Sequence, residues 1–237
     1  MAQEAFILYV MKQVFSLVLY GLIIIVCLFA IKKKSSRLYA ASKPFLMPLL
    51  LVVYICFLPE GARGRSYQKF VAFALLFDTL GDVFLLFPRN KSRHMFYLGM
   101  LSFFTGHIFY CLWFANVPIP HSKQCAIVAF MMCFLIEYLL YRQLILGPRK
   151  YAPLLMPYSF GLCAVAVAIA STMGQGGPLF ASVLSFLGIG LFFFSDFCIM
   201  RRMVRLPLFG QMMVMSTYIA GQSLIVLGML LMQAQLV

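Results

Sequence analysis

Long apolar stretches dominate this chain, and short polar or charged stretches separate them. About 20 consecutive apolar residues form a helix long enough to cross a bilayer. Runs of roughly that length predict about eight helical segments, of which the second and fifth are the weakest. The segments cover residues 13–31, 44–59, 69–87, 95–115, 124–141, 152–172, 178–199 and 208–232. The pattern therefore predicts an all-α, polytopic transmembrane bundle.

The connections between these segments are short. They hold turn residues and charges, as at 88–91, 147–150 and 174–178, and none is long enough for a soluble domain. We expect residues 1–237 to form a single integral membrane domain.

Composition supports the membrane assignment and excludes a soluble protein. The chain is 64% hydrophobic and 11% charged, whereas soluble domains carry about 45–50% apolar and about 25% charged residues. The net charge of +13 comes from clusters between the apolar segments, where basic residues set membrane orientation. This placement argues against nucleic acid as a partner.

The distribution of basic residues predicts the topology. Of the 19 Lys and Arg residues, 14 lie in the connections after the first, third, fifth and seventh segments. Because cytoplasmic loops are rich in Lys and Arg, both termini are expected on the non-cytoplasmic side. An error in either weak segment would reverse this orientation.

Cysteine and histidine usage gives no sign of a cofactor. The seven cysteines lack CxxC spacing, so neither a disulfide framework nor a zinc site is expected. Of three histidines, only His107 lies within an apolar segment, and a catalytic zinc usually has three protein ligands. We expect neither a metal nor another cofactor, with a carboxylate-rich metal site as the alternative.

All three aspartates of the chain lie inside spanning segments: Asp78, Asp82 and Asp196. A charge at the centre of a spanning helix costs about 2.5–3.5 kcal/mol, so such residues usually face an interior site. Asp78 and Asp82 share one helix face, and two close carboxylates in a low dielectric resist ionising together. One of them is expected to stay protonated as a general acid.

Further polar residues share helix faces in the fourth and eighth segments. His107 and Tyr110 are three residues apart, and Tyr218 and Gln222 are four apart. The alternative for such groups is hydrogen bonding between helices, worth about 0.6 kcal/mol. The small residues at 99, 102 and 106 instead predict a close helix-packing face.

A weak internal similarity relates the two halves of the chain. The segment around Asp82 resembles Phe193–Asp196, and Gly106–His107 resembles Gly221–Gln222. Two four-helix halves would place these polar groups across a pseudo-twofold axis along the membrane normal. Chance similarity is the alternative explanation.

Several short motifs, in order along the chain, resemble the YhhN/lysoplasmalogenase family, and their combination makes the resemblance specific. They are Gly81–Asp82, Gly106–Tyr110, Phe194–Asp196, Met215–Tyr218 and Gln222, with Lys43–Pro44 at the second segment. The resemblance implies an eight-helix membrane hydrolase that cleaves the vinyl ether bond of lysoplasmalogens. Its products would be a fatty aldehyde and glycerophosphoethanolamine or glycerophosphocholine.

The resemblance also selects between the acidic pairs. Asp78 departs from the family pattern, in which a small residue is usual, so Asp82 and Asp196 are the preferred catalytic pair. Hydrolysis needs a general acid to protonate the vinyl ether and a carboxylate to stabilise the cation and orient water. We assign Asp82 as acid and Asp196 as base, with exchanged roles as the alternative. The residues expected to orient substrate and water are His107, Tyr110, Ser195, Tyr218 and Gln222.

Basic residues border the predicted site, because Asp82 and Asp196 lie at similar depths below one membrane face. The basic residues expected on that side are Lys43, Arg89, Lys91, Arg93, Arg201 and Arg202. Of these, Lys43, Arg89 and Arg201 are the preferred candidates for binding the phosphate of a lysophospholipid substrate, with positive-inside anchoring as the alternative role. Membrane lipid is the other expected partner. The compact chain favours a bacterial inner membrane, or the endoplasmic reticulum in a eukaryote.

Two other function classes suit buried carboxylates. One is a proton-coupled transporter or channel, which the internal similarity would also fit. It is disfavoured because the polar residues cluster towards one face and leave no continuous polar path. The other is a structural or receptor-like bundle in which the acids only join helices.

Overall fold

The computed structural model describes residues 2–87, 93–146, 152–203 and 209–236, and every regular element in these ranges is helical. The elements are α1 (Ala2–Lys32), α2 (Ser36–Ser42), a 3-10 turn (Lys43–Phe45), α3 (Leu46–Phe57), α4 (Glu60–Arg63), α5 (Gln68–Phe84), α6 (Arg93–Asn116), α7 (Lys123–Leu146), α8 (Ala152–Ser171), α9 (Leu179–Met203) and α10 (Gln211–Ala234). The all-α prediction is confirmed, and each of the predicted segments contains a helix.

Six stretches of the described chain are long and apolar enough to cross a membrane. They are Phe6–Lys32, Ser36–Phe57, Arg93–Asn116, Lys123–Arg142, Leu179–Arg202 and Gln211–Ala234. Two helices are shorter, because α8 contributes the apolar stretch Leu155–Ser171 and α5 has 17 residues with two aspartates. The chain is therefore a polytopic helical membrane bundle.

The segments expected to be weakest are not the short ones. The second and fifth both contain a stretch of spanning length, whereas α5 and the apolar stretch Leu155–Ser171 of α8 are shorter. The second segment begins at Ser36 rather than at residue 44, because the Ser35 side chain caps α2 and the 3-10 turn joins α2 to α3. Pro44 fits the start of that turn, where a missing N–H costs little. This geometry places Lys43 inside the bundle rather than at its rim.

Small residues bring α5 against α6. A Cβ atom on Gly106 would lie 2.5 Å from Asp78 Oδ1, and one on Gly81 would lie 2.6 Å from the Phe103 ring. Ser102 is buried on the same helix as Gly106, and a Cβ atom on residue 99 would lie 2.9 Å from the side chain that follows α5. The predicted small-residue packing face is confirmed.

Small residues also allow α9 and α10 to pack closely. A Cβ atom on Gly188 would lie 2.7 Å from the Gly221 carbonyl oxygen, and one on Gly221 would lie 2.8 Å from that of Gly188. Such contacts let two backbones approach closely within a membrane. The α5–α6 and α9–α10 pairs are thus built alike, while the pseudo-twofold axis and the orientation of the termini stay predictions.

Lipid-facing and interior helices differ in their exposed side chains. Large apolar side chains such as Phe15, Phe130 and Phe134 are more than half exposed on α1 and α7. Hydrocarbon is the solvent that suits these outer faces. The interior is formed largely by α3, α5, α6 and α10, and the polar side chains of the candidate site come from α5, α6 and α10 together with the 3-10 turn, α8 and α9.

Candidate active site

Asp82 in α5 is held by two partners from separate elements. Its Oδ1 atom lies 3.0 Å from Lys43 Nζ of the 3-10 turn, and its Oδ2 atom accepts a 2.9 Å hydrogen bond from the Tyr218 hydroxyl of α10. Both charged side chains are almost wholly buried. A buried ion pair needs such further hydrogen bonds to offset its desolvation. The carboxyl group of Asp82 is therefore fixed in position, and its charge is balanced by Lys43.

Asp78 lies one turn earlier on α5 and has a separate set of partners. Its Oδ2 atom accepts from Gln222 Nε2 at 2.8 Å and from the Tyr110 hydroxyl at 3.3 Å. The Tyr110 hydroxyl also lies 2.7 Å from Gln222 Oε1. The single proton of the Tyr110 hydroxyl can be donated to either Asp78 or Gln222 at one time, but not to both. Tyr110 and Gln222, which the sequence assigns to substrate and water, both contact Asp78 in the structure.

Asp196 in α9 is partly exposed and has a different tyrosine partner. The Tyr158 hydroxyl of α8 donates to Asp196 Oδ2 at 2.5 Å. The neighbouring Ser195 hydroxyl instead donates to the Val214 carbonyl oxygen at 2.9 Å, which joins α9 to α10. Ser195 thus makes a helix–helix contact, and Asp196 is held by a residue that the sequence motifs did not select.

Asp82 and Asp196 share no hydrogen bond in the described structure, and aromatic rings link their surroundings. The Phe192 ring centroid is 5.4 Å from that of Tyr218, which contacts Asp82. The same ring is 5.3 Å from His107, whose ring is 5.6 Å from that of the Asp196 partner in α8. His107 is fully buried, and neither of its ring nitrogens has a hydrogen-bond partner among the described residues.

Two cavities lie close to this region, one lined by Asp196 and the other by Lys43, the partner of Asp82. The first, here called the apolar cavity, has a volume of about 60 Å³ and is lined by Asp196, Tyr158 and apolar side chains that include Leu155 and Met200. The second, here called the polar cavity, has a volume of about 450 Å³. The polar side chains that line it are Ser36, Tyr39, Lys43, Arg202 and Gln211.

The two cavities are neighbours, because Leu85, Phe96 and Ile199 line both of them. Asp196 lies on the wall of the apolar cavity. Lys43, the partner of Asp82, lies on the wall of the polar cavity. This arrangement suits a molecule with one polar and one apolar part.

The basic residues predicted to bind a headgroup have different positions. Lys43 lines the polar cavity but is already paired with Asp82. Arg201 has a buried Nε atom without a hydrogen-bond partner among the described residues, and the adjacent Arg202, rather than Arg201, lines the polar cavity. Arg89 lies outside the described residues.

Tyr158 is a site residue that the sequence motifs missed, and Arg202 belongs to the basic set named from the sequence but was not among its preferred candidates. The signal for Tyr158 was a phenol beside Pro157 within an apolar segment. Arg202 differs from Arg201 in its angle around α9, which the sequence does not relate to a cavity. Among the residues that the structure describes, no three His, Cys, Asp or Glu side chains are grouped to hold a metal.

The helical fold and these residues define a polytopic membrane protein with one carboxyl group on the wall of an apolar cavity and another paired to a lysine that lines an adjoining polar cavity. A family model matches residues 38–229, and the chain belongs to the YhhN family. The match begins in α2 and ends in α10, so it includes both aspartates and their partners. Searches of curated proteins and of solved structures found no match.

Proposed function

We propose that this protein is a lysoplasmalogenase, which hydrolyses the vinyl ether bond of a lysoplasmalogen. The YhhN family includes lysoplasmalogenases. The observation that carries the proposal is a pair of adjoining cavities: Asp196 lines the apolar one, and Lys43, the ion-pair partner of Asp82, lines the polar one. A lysoplasmalogen has a phosphate headgroup and a long alkenyl chain, and its vinyl ether lies between them. Its polarity therefore matches that of the two adjoining cavities.

The chemistry requires one carboxylic acid and one carboxylate. The acid transfers a proton to the β-carbon of the vinyl ether and leaves an oxocarbenium ion at the α-carbon. Water adds to that carbon, its proton passes to the carboxylate, and the resulting hemiacetal collapses to an aldehyde and the glycerol hydroxyl. Proton exchange with solvent restores both groups. General acid catalysis of this kind contributes about 10²–10⁴-fold.

The contacts favour Asp196 as the acid and Asp82 as the carboxylate, the reverse of the assignment made from the sequence. Lys43 lies 3.0 Å from Asp82, and Tyr218 donates to it, so both neighbours favour the charged form. Asp196 forms no ion pair in the described structure and lies on an apolar wall, where a neutral carboxyl is favoured. Tyr158 would orient that carboxyl towards the alkenyl group.

An apolar segment of α5 argues for hydrolysis over proton transport. A second buried polar cluster lies further along the bundle, where Gln68 bonds to Gln233. Between Gln68 and the aspartates of α5, residues Val71, Ala74 and Leu75 are wholly buried and apolar. A proton path would need polar groups or water across this part of the helix.

The test is aldehyde release from a purified lysoplasmalogen by the full chain in detergent. Asp82→Asn and Asp196→Asn are each expected to lower the rate by at least about 100-fold, because each removes a proton donor or a charge. Glu137→Gln is the matched control, since Glu137 is another buried acid but bonds to Ser159 and Cys163.

Three outcomes would contradict the proposal at different levels. Folded wild-type protein that releases no aldehyde in several detergents and in liposomes would rule out the activity. Asp82→Asn and Asp196→Asn variants with wild-type rates would leave the activity in place but move the site elsewhere. Proton flux in liposomes that depends on both aspartates would favour a transporter.

A further inference from the structure

The guanidinium group of Arg202 lies on the wall of the polar cavity and donates to neutral acceptors. These are Gln211 Oε1 and, at 3.0 Å, the Phe209 carbonyl oxygen. None of the six acidic side chains pairs with it in the part of the chain that is described. A guanidinium has five N–H donors, so donors remain for a ligand. Arg202 therefore presents an uncompensated charge to the cavity.

Lys43, the other cation on the wall of this cavity, already has a carboxylate partner. Its amine is 3.0 Å from Asp82, and its side chain is only 7% exposed. An anion that bound to Lys43 would have to compete with that carboxylate. Arg202 has no such competitor among the described groups, so an anionic ligand should bind at Arg202.

Arg202 is also held in place before any ligand arrives. Gln211, which accepts from its guanidinium, donates to the Tyr39 hydroxyl at 3.2 Å, and that hydroxyl contacts the Met215 sulfur at 3.2 Å. These contacts link α9, α10 and α2 beside the cavity. Fixing a flexible side chain in advance lowers the entropy lost on binding.

We propose that Arg202 binds the phosphate of a phosphate-ester ligand in the polar cavity and makes the enzyme select substrates that carry that phosphate. A guanidinium matches the geometry of phosphate oxygens, to which it donates two parallel hydrogen bonds. The cavity volume of about 450 Å³ is in the usual range for small-ligand sites, about 300–1,000 Å³. This inference rests on the proposed function and deepens it.

The placement also gives the bound molecule a direction. Arg202 lines the polar cavity, which meets the apolar cavity at Leu85 and Phe96. A phosphate at Arg202 directs the glycerol towards Lys43, the partner of Asp82, and the alkenyl chain towards Asp196. Arg202 is then a binding and specificity residue rather than a catalytic one.

The kinetic test compares two substrates that differ only in the phosphate headgroup, a lysoplasmalogen and the 1-alkenylglycerol with the same chain. In the wild type, kcat/KM should be higher for the lysoplasmalogen. Arg202→Gln should lower it roughly 10- to 100-fold for that substrate and leave the alkenylglycerol value within about twofold. Arg202→Lys keeps the positive charge but lacks the paired N–H donors of the guanidinium, so it should give an intermediate loss of kcat/KM.

The control variants separate this role from a general loss of charge. Arg142→Gln removes an exposed cation from α7 and should change neither value. Arg201→Gln tests the neighbouring arginine that the sequence pattern selects. An equal loss for both substrates in Arg202→Gln, or a larger loss of discrimination in Arg201→Gln, would overturn the assignment.

A binding test works without turnover. A lysophospholipid with a saturated ether chain has no vinyl ether to hydrolyse, and the matching alkylglycerol lacks only the phosphate headgroup. The first should raise the melting temperature of the purified wild-type protein more than the second, and Arg202→Gln should abolish the difference. Equal shifts from both probes would overturn the phosphate site, even if the wild type hydrolyses lysoplasmalogen.

The same assay distinguishes the source of the phosphate. Inorganic phosphate alone should stabilise the protein little, because only the lipid also has an apolar chain that can contact the lining of the apolar cavity. Full stabilisation by inorganic phosphate, lost in Arg202→Gln, would overturn the lipid assignment and make free phosphate the ligand. If the lipid binding arm succeeds and no aldehyde forms, the phosphate site stands and the hydrolase proposal fails.

Discussion

The amine of Lys43 and the carboxylate of Asp82 form an ion pair at 3.0 Å with almost no exposure of either side chain. The pair joins the 3-10 turn before α3 to the C-terminal part of α5. It therefore contributes both to the association of these elements and to the charge state of the proposed catalytic carboxylate.

Lys43→Met should destabilise the protein by about 3–5 kcal/mol, because it leaves the charge of Asp82 buried without its partner. The free energy of unfolding can be measured in detergent with a chemical denaturant. Lys43→Met combined with Asp82→Asn should recover much of the loss, since no buried charge is left unpaired. Lys69→Met, which alters an exposed lysine of α5, is the control. If Lys43→Met alone is no less stable than this control, the proposed role of Lys43 is wrong.

Tyr158→Phe should reduce kcat/KM for lysoplasmalogen by roughly tenfold to a hundredfold, because the Asp196 carboxyl loses the hydroxyl that orients it. The measurement is the rate of aldehyde release, with circular dichroism as a check on folding. Tyr138→Phe is the control, since Tyr138 on α7 is half exposed. If the Asp196→Asn variant is inactive but the Tyr158→Phe variant has wild-type kinetics, Tyr158 is not part of the site.

Asp78→Asn should lower the rate less than about tenfold, whereas Asp82→Asn should lower it by at least about 100-fold. The amide oxygen of an asparagine can still accept from Gln222 and Tyr110, so the cluster around residue 78 keeps most of its hydrogen bonds. Parallel rate measurements decide the matter. Equal losses in the two variants would restore the Asp78–Asp82 dyad as the catalytic pair.

Gly188→Ala should destabilise the α9–α10 contact by roughly 1–3 kcal/mol, because the added methyl group would lie 2.7 Å from a backbone oxygen of α10. Gly190→Ala is a close control on the same helix, since a Cβ atom there would meet nothing within 4 Å. Melting temperatures of the two variants in one detergent test this prediction. A melting temperature for Gly190→Ala that is lower than that of Gly188→Ala would contradict this prediction.

The pattern of apolar and polar residues is sufficient to predict the helices and to single out the buried acids. Residues 95–115 read as one apolar run and form one helix, because a spanning backbone must bond to itself. Asp82 and Asp196 stand out because a charge in an apolar segment is costly wherever that segment packs. The start of the second segment is less predictable, since a polar cap at Ser35 extends the helix beyond its apolar part.

The partners of those acids depend on the tertiary structure. Lys43 reads as a rim residue but is buried against Asp82, and Tyr158 reads as part of an apolar helix but donates to Asp196. Arg202, rather than Arg201, lines the polar cavity because of its angle around α9. The sequence determines which residues must avoid lipid, because that cost belongs to each segment alone. Only the assembled bundle decides which of them meet, because a hydrogen bond or an ion pair depends on how separate helices are placed and rotated.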